Sequence, residues 1–121
     1  MNYESTWQYE SKTFPGVKVV LKRISFSKRS ELTREIAPLA AKIKALSASS
    51  VEAEQAEAAL LRRSVAGFVL DWGLVEVSGL MIDGVPAKKQ TLVDDGPEEL
   101  TLEILQQLQR QIALSNDEIK N

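Results

Sequence analysis

The stretch "TWQYESKTFPGVKVVLKRISF", Thr6 to Phe26, decides the N-terminal part of the fold. Trp7 and Tyr9 alternate with polar residues, and apolar residues return at every second position after Pro15-Gly16. A Pro-Gly dipeptide is a strong turn signal. Because strand side chains alternate between two faces, the pattern predicts a β-hairpin with one buried face and one basic face.

Two helices are predicted after the hairpin, over 27–47 and 52–72. Ser27 or Ser30 could cap the first helix, and Pro38 should kink it or split it in two. The loop at Ser47–Ser50 is short, which is typical of an antiparallel helical pair. Gly73 is placed to end the second helix. The predicted apolar stripes contain Leu32, Ile36, Leu39, Ala40, Ile43 and Leu46 in the first helix, and Ala58, Leu61, Val65, Phe68 and Trp72 in the second.

The rest of the chain, from Leu74 onward, predicts one strand and one long helix. Leu74–Ala87 is rich in β-forming residues, with a bulge or bend expected at Ser78-Gly79 and a tight turn at Asp83-Gly84. A short helical turn over 88–95 and a helix opening at Gly96-Pro97 follow. The apolar stripe of this last helix comprises Leu100, Ile104, Leu105, Leu108 and Ile112.

Together these elements predict an α+β fold. Its parts are an N-terminal β-hairpin, an antiparallel helical pair with a proline kink, one further strand and a C-terminal amphipathic helix. A length of 121 residues suits a single small domain over 1–121, and residues 116–121 are expected to form a frayed tail.

Composition disfavours an enzyme. The chain contains no cysteine and no histidine, so it lacks thiol nucleophiles, the commonest general base and the usual zinc ligands. Asp83, Asp94 and Asp95 lack the regular spacing of a calcium loop. We therefore expect no catalytic residues, no cofactor and no metal. No apolar run approaches the ~20 residues of a membrane span, and no secretory signal is expected, so a cytosolic protein without a membrane partner is predicted.

Charge is distributed unevenly along the chain. Residues 1–50 hold nine Lys/Arg and four Asp/Glu, whereas residues 51–121 hold six and thirteen. This asymmetry could serve head-to-tail self-association or an acidic partner, or simply form a solvated surface. A basic run beside aromatic residues could also bind nucleic acid, although the isoelectric point of about 5.2 argues against this. The residues of that hypothesis are Lys18, Lys22, Arg23, Lys28, Arg29 and Arg34, with Trp7, Tyr9 and Phe26.

Three stretches together resemble the tail assembly chaperones of long-tailed bacteriophages. They are "ISFSKRSELTREI" at 24–36, "LDWGLVEVSGLMIDGVPA" at 70–87 and "LVDDGPEELTLEILQQLQRQIALSNDEIKN" at 92–121. The resemblance implies a protein of the host cytoplasm, absent from the mature virion. It would bind the tape measure protein, keep it soluble and help recruit tail tube subunits. It also implies a frameshift-extended product that contacts the tube protein, and Ser115–Glu118 would then be a capping box that opens a helix of that product.

Candidate partner-binding residues come from the last helix and the basic run. The apolar candidates are Leu100, Ile104, Leu108 and Ile112, and the basic candidates are Lys22, Arg23 and Arg29. The alternative for the apolar set is that the whole stripe is buried in the domain's own core. The alternatives for function are a small virion component of the tail or connector and, third, the nucleic-acid-binding module.

Overall fold

A computed structural model describes the backbone of residues 1–120 and the side chains of residues 1–112. Strands and helices both occur in this part of the chain, which confirms the α+β class. In chain order the elements are β1 Thr6–Glu10, β2 Lys18–Lys22, α1 Phe26–Ser47, α2 Glu52–Gly73, β3 Leu74–Ser78, β4 Met81–Ile82, β5 Val85–Pro86, α3 Lys89–Asp95 and α4 Glu98–Lys120.

The chain divides into two compact units. The sheet unit combines Met1–Ile24 with Leu70–Asn121, and the helical unit is Ser25–Val69. The helical unit is thus inserted into the sequence of the sheet unit. Helix α2 begins in the helical unit and supplies its last turn to the sheet unit.

The sheet unit is built on an antiparallel sheet in the order β1-β2-β3. Trp7 lies opposite Leu21, and Tyr9 lies opposite Val19, so these four side chains share one face. Val19 and Leu21 are buried, whereas Lys18 and Lys22 on the other face are exposed. The predicted hairpin is therefore confirmed, including its one buried face.

Among the residues whose side chains are described, α4 contributes more buried side chains to the sheet unit than any other element does. Leu100, Ile104 and Leu108 are 0% exposed and follow the helical repeat. Gly73, at the end of α2, lies against this stripe, since a Cβ built on it would fall 2.5 Å from Leu108 Cδ2. The glycine predicted as a helix end is therefore also required by close packing.

The segment after α2 contains more turns than the single predicted strand. After β3 the chain bends at Gly79, where φ is +78° and a Cβ would meet the Gly16 carbonyl oxygen at 2.2 Å. β4 and β5 then pair as a tight hairpin around Asp83 and Gly84, which have φ values of 52° and 81°. Two successive positive φ values define the type I′ turn that favours Asp-Gly, so the predicted turn is confirmed.

In the helical unit, α1 begins at Phe26, before either of the residues predicted as its cap. The Ser25 side chain accepts from the Lys28 backbone N–H, so Ser25 is the cap, and the prediction of Ser27 or Ser30 was wrong. The helix continues through Pro38 without splitting. Across the loop, Lys42 Nζ lies 3.5 Å from Glu57 Oε1, and Arg62 donates to Ser47 Oγ. These contacts require the chain to reverse direction, as predicted for a helical pair.

Helix α4 passes through Ser115 without interruption, so Ser115–Glu118 does not begin a separate helix. The side chains of that predicted capping box, and the tail predicted at 116–121, lie outside the residues whose side chains are described. Within the described residues, no helix combines the length and apolar character needed to cross a bilayer.

Candidate interaction surfaces

The apolar partner-binding candidates lie mainly in the core. Leu100, Ile104 and Leu108 have no exposed surface, and Ile112 is half-buried. A partner could reach the first three side chains only if α4 left the sheet unit. In the folded chain these three residues belong to the protein's own core, which is the alternative that the sequence left open.

The carboxylate of Glu103 on α4 accepts hydrogen bonds from residues of the hairpin. Glu103 Oε2 accepts from Tyr9 Oη at 2.7 Å and from the Lys12 backbone N–H at 2.8 Å. Glu103 Oε1 accepts from Ser11 Oγ at 2.7 Å, and Ser11 Oγ in turn accepts from the Phe14 N–H at 2.9 Å. One side chain of α4 thereby holds the end of β1 and the start of the hairpin turn.

The pKa values of Glu103 and Tyr9 are both shifted in this contact, by burial and by these hydrogen bonds. Burial raises the pKa of Glu103, but donors from the hairpin outweigh burial and hold it below its usual value. For Tyr9, burial and then the hydrogen bond to Glu103 raise the pKa of the phenol. Both shifts favour the pair of a neutral phenol and an ionised carboxylate. The donors to Glu103 are Tyr9, Lys12, Ser11 and Thr13.

A second anchor lies two turns further along α4. Gln111 Oε1 accepts from the Ile24 N–H at 3.1 Å, and Gln111 Nε2 donates to the Lys22 carbonyl at 2.9 Å. The eight-residue rise from Glu103 to Gln111 is about 12 Å along the helix, close to the roughly 13 Å spanned by the four steps of β2. The two anchors therefore fix α4 along the full length of the strand.

Sequence reasoning missed both anchors. Gln111 is a polar residue of the last helix, and its side chain binds backbone atoms of the sheet unit. The available signal for Gln111 was its spacing of seven residues from Ile104 and three from Leu108, which places it on the apolar stripe. That spacing indicates that Gln111 faces the core of the sheet unit but does not identify the strand atoms that its side chain meets.

The basic partner-binding candidates lie in different units. Lys22 and Arg23 are exposed at the end of β2, where Arg23 Nε donates to the Glu4 carbonyl at 3.1 Å. Arg29 is half-buried in the first turns of α1, in the helical unit.

The polar face of the sheet carries charges of both signs. Lys18 pairs with Glu10 across β1 and β2, and Val20 lies opposite Glu76 on β3. Trp7 and Tyr9 lie on the other face, where their rings contact each other edge to face with centroids 5.9 Å apart. The nucleic-acid hypothesis requires bases to stack on aromatic rings beside a basic strand. In the sheet, however, the aromatic rings and the lysines of β2 lie on opposite faces.

The helical unit buries few of its apolar side chains. Between Ser25 and Val69, all of whose side chains are described, the buried hydrophobic residues are Leu32, Ala58 and Val69. Phe26 is 90% exposed and Leu60 is 68% exposed. Other apolar residues of the two predicted stripes are only half-buried, namely Ile36, Leu39, Ile43, Leu46, Leu61 and Val65. Ala40 and Phe68 were predicted in the stripes but are exposed. The unit thus presents apolar surface that its own packing does not cover.

The aspartates singled out in the sequence have local roles. Asp83 occupies the β4-β5 turn, and Asp94 accepts from Gln90 Nε2 at 3.0 Å within α3. Among the described residues, no three acidic side chains converge in a way that could hold a metal ion.

Comparison with known proteins adds no relative. No protein-family model matches the chain, and neither curated proteins nor solved structures give a significant match.

Proposed function

We propose that this chain is a tail assembly chaperone of a long-tailed bacteriophage. In this role it binds the tape measure protein without enzymatic activity and keeps it soluble until tail tube subunits assemble around it. It acts in the host cytoplasm, associates with other copies of itself and is absent from the mature virion. A frameshift-extended product would make the contact with the tube protein. The three stretches of resemblance at 24–36, 70–87 and 92–121 suggest this role.

The observation that carries the proposal is the uncovered apolar surface of the helical unit. A chaperone that holds a long hydrophobic chain needs apolar surface of its own beyond what a monomer usually exposes. Helices α1 and α2 bury only Leu32, Ala58 and Val69 among the hydrophobic residues between Ser25 and Val69. This shortage of buried side chains favours a surface that a partner completes.

The half-buried stripe of α1 fits a helical segment of the tape measure protein. An amphipathic helix binds by laying its apolar face into a groove with anchors at i, i+3 or i+4, and i+7. Ile36, Leu39, Ile43 and Leu46 have this spacing. The exposed cations Arg34, Lys42 and Lys44 lie along the same helix. The segment bound should therefore carry apolar anchors with acidic residues beside them.

The test is co-expression with the tape measure protein of the same phage, followed by pull-down from the soluble fraction. The wild-type chain should keep the tape measure protein soluble and bring it down. Leu39→Gln with Phe26→Ser should reduce the soluble tape measure protein several-fold, because both substitutions remove apolar surface from α1. Met81→Gln is the matched control, since Met81 is 59% exposed in the sheet unit.

Two outcomes would count against the proposal. A tape measure protein that stays insoluble beside wild-type chain would contradict the chaperone role. Detection of the chain in purified particles would instead favour the small virion component. Circular dichroism of each variant must match the wild type, so that loss of binding is not loss of folding.

A further inference from the structure

The outer side of α2 is exposed along its whole length within the helical unit. Ala53, Ala56, Leu60, Ser64 and Gly67 recur at helical spacing and are all exposed. The inner side follows a different line through Ala58, Leu61, Val65 and Val69, whose side chains are buried or half-buried. The outer line is therefore not part of the packing within the unit.

The outer line is symmetric about Leu60. Ala53 and Gly67 lie seven residues to either side of it, and Ala56 and Ser64 lie four residues to either side. If two α2 helices meet antiparallel on a two-fold axis at Leu60, each small residue faces another small residue. A two-fold contact requires such a self-complementary surface.

The charges of α2 favour the antiparallel arrangement. Glu52, Glu54 and Glu57 precede Leu60, whereas Arg62 and Arg63 follow it. On the same two-fold axis, Glu57 of one copy faces Arg63 of the other. A parallel pair would place acidic residues against acidic ones and basic residues against basic ones. The ion pair of Glu57 with Lys42 within the chain is exposed, at 3.5 Å, and so competes only weakly.

The presence of glycine at position 67 is explained by a close approach of two helices. Glycine inside a helix costs about 0.5–1 kcal/mol relative to alanine. Nothing lies within 4 Å of a Cβ built on Gly67, so packing inside the chain does not require glycine there. A neighbouring helix backbone, drawn close by small residues on both sides, would require it.

We infer that the outer face of α2 binds the same face of a second copy, antiparallel, with the two-fold axis at Leu60. The proposed function includes self-association, and this inference rests on it by assigning that self-association to a particular surface. It leaves the α1 stripe for the tape measure protein. One α2 face thus joins copies, while α1 holds the target.

The absence of cysteine from the chain makes cross-linking a direct test. Leu60→Cys places a thiol on the proposed axis, where it meets its own copy. Leu102→Cys is the matched control, because Leu102 is also a helical leucine, 51% exposed, in the sheet unit. Under mild oxidation at equal concentration, the Leu60→Cys chain should form the disulfide dimer at least about tenfold faster. Equal rates for the two variants would overturn the inference.

A second pair of variants fixes the direction of the helices. Residue 53 lies about 10 Å along the helix from the axis, so two copies of Ala53→Cys hold their thiols far apart. The same is true of Gly67→Cys alone. A mixture of the two variants should cross-link, because residue 53 of one copy faces residue 67 of the other. Efficient cross-linking of Ala53→Cys with itself would mean a parallel pair and would contradict the proposal.

Equilibrium measurements complete the test. Sedimentation should show a concentration-dependent dimer for the wild type, and Glu57→Arg or Arg63→Glu alone should raise the dissociation constant about tenfold. The two substitutions together should restore it. A wild type that stays monomeric at the highest soluble concentration would sink the dimer but not the chaperone role, which co-expression tests separately.

Discussion

At the scale of single residues, Glu103 is a side chain of α4 that, like Gln111, forms polar contacts to the hairpin. Its two oxygens accept from Tyr9, Ser11 and the Lys12 amide, all at 2.7–2.8 Å. Hydrogen bonds to an ionised group are stronger than neutral ones, at about 1.5–3 kcal/mol each in net stability. The local sequence around position 103 contains no sign of these donors, because they lie more than ninety residues away.

We expect Glu103→Gln to lower the free energy of unfolding by about 1–3 kcal/mol, since an amide offers one acceptor oxygen to several donors. Urea denaturation near neutral pH measures this loss. Glu76→Gln is the control, because Glu76 is exposed on the polar face of the sheet and should change stability little.

The Glu103→Gln variant should also alter the pH dependence of stability. The folded chain lowers the pKa of Glu103, so its stabilising contribution is present above the unfolded pKa, near 4.5, and is lost as pH falls towards the folded value. The stability difference between wild type and variant should therefore shrink steadily below about pH 4.5. A difference that stays constant down to pH 2–3 would show that the carboxylate charge is not the source.

Two glycines of the same helix should respond in opposite ways to alanine. Gly73→Ala places a methyl group 2.5 Å from Leu108 Cδ2, so it should destabilise the chain by about 1–3 kcal/mol. Gly67→Ala meets no atom within 4 Å and should stabilise it by about 0.5–1 kcal/mol when measured in dilute, monomeric protein. Equal effects of the two substitutions in thermal unfolding would contradict the close contact at Gly73.

At the scale of elements, substitutions in α4 distinguish an apolar stripe that packs in the core from one that forms an interface. Leu100→Ala should cost about 2–5 kcal/mol, because Leu100 is 0% exposed and truncation leaves a cavity. Leu102→Ala, two residues along the same helix and 51% exposed, should change stability by less than about 0.5 kcal/mol. Similar urea midpoints for the two variants would mean that α4 is not held on the sheet unit as described.

The elements also show what a sequence can predict. The hairpin at 6–22 and the stripe of α4 follow from a turn dipeptide and from periodicity, which are local properties. Whether a stripe faces the chain's own core or a partner is not local, since both require the same spacing. This is why Leu100, Ile104 and Leu108 were predicted as partner contacts although they are buried in the folded chain. Only the turn of the β4-β5 hairpin was predicted from the sequence, because strands of two residues are too short to show alternation.

At the scale of the whole molecule, the helical unit is an insertion between two parts of the sheet unit. The main buried residues of the sheet, Val19, Leu21 and Leu74, and those of α4 all lie outside 25–69. We therefore expect a chain in which a glycine-serine linker of about ten residues replaces 25–69 to unfold cooperatively. The same chain should fail to solubilise the tape measure protein.

The control for this replacement is the same shortened chain with Leu108→Ala, which should unfold at a markedly lower urea concentration. A shortened chain without a cooperative transition would show that the sheet unit depends on the helical unit for folding. Retained solubilisation of the tape measure protein would instead move the binding surface into the sheet unit.

The insertion has a consequence during protein synthesis. The hairpin leaves the ribosome first, but α4, which covers its apolar face, is made only after the helical unit. At 5–20 residues per second, Leu108 follows Lys22 by roughly 4–17 seconds. Val19 and Leu21 have no helix over them until then, whereas α1 and α2 end at Gly73, which precedes Leu108 by roughly 2–7 seconds. The apolar surface of the helical unit, which we propose binds the tape measure protein, is therefore synthesised before α4 covers the sheet.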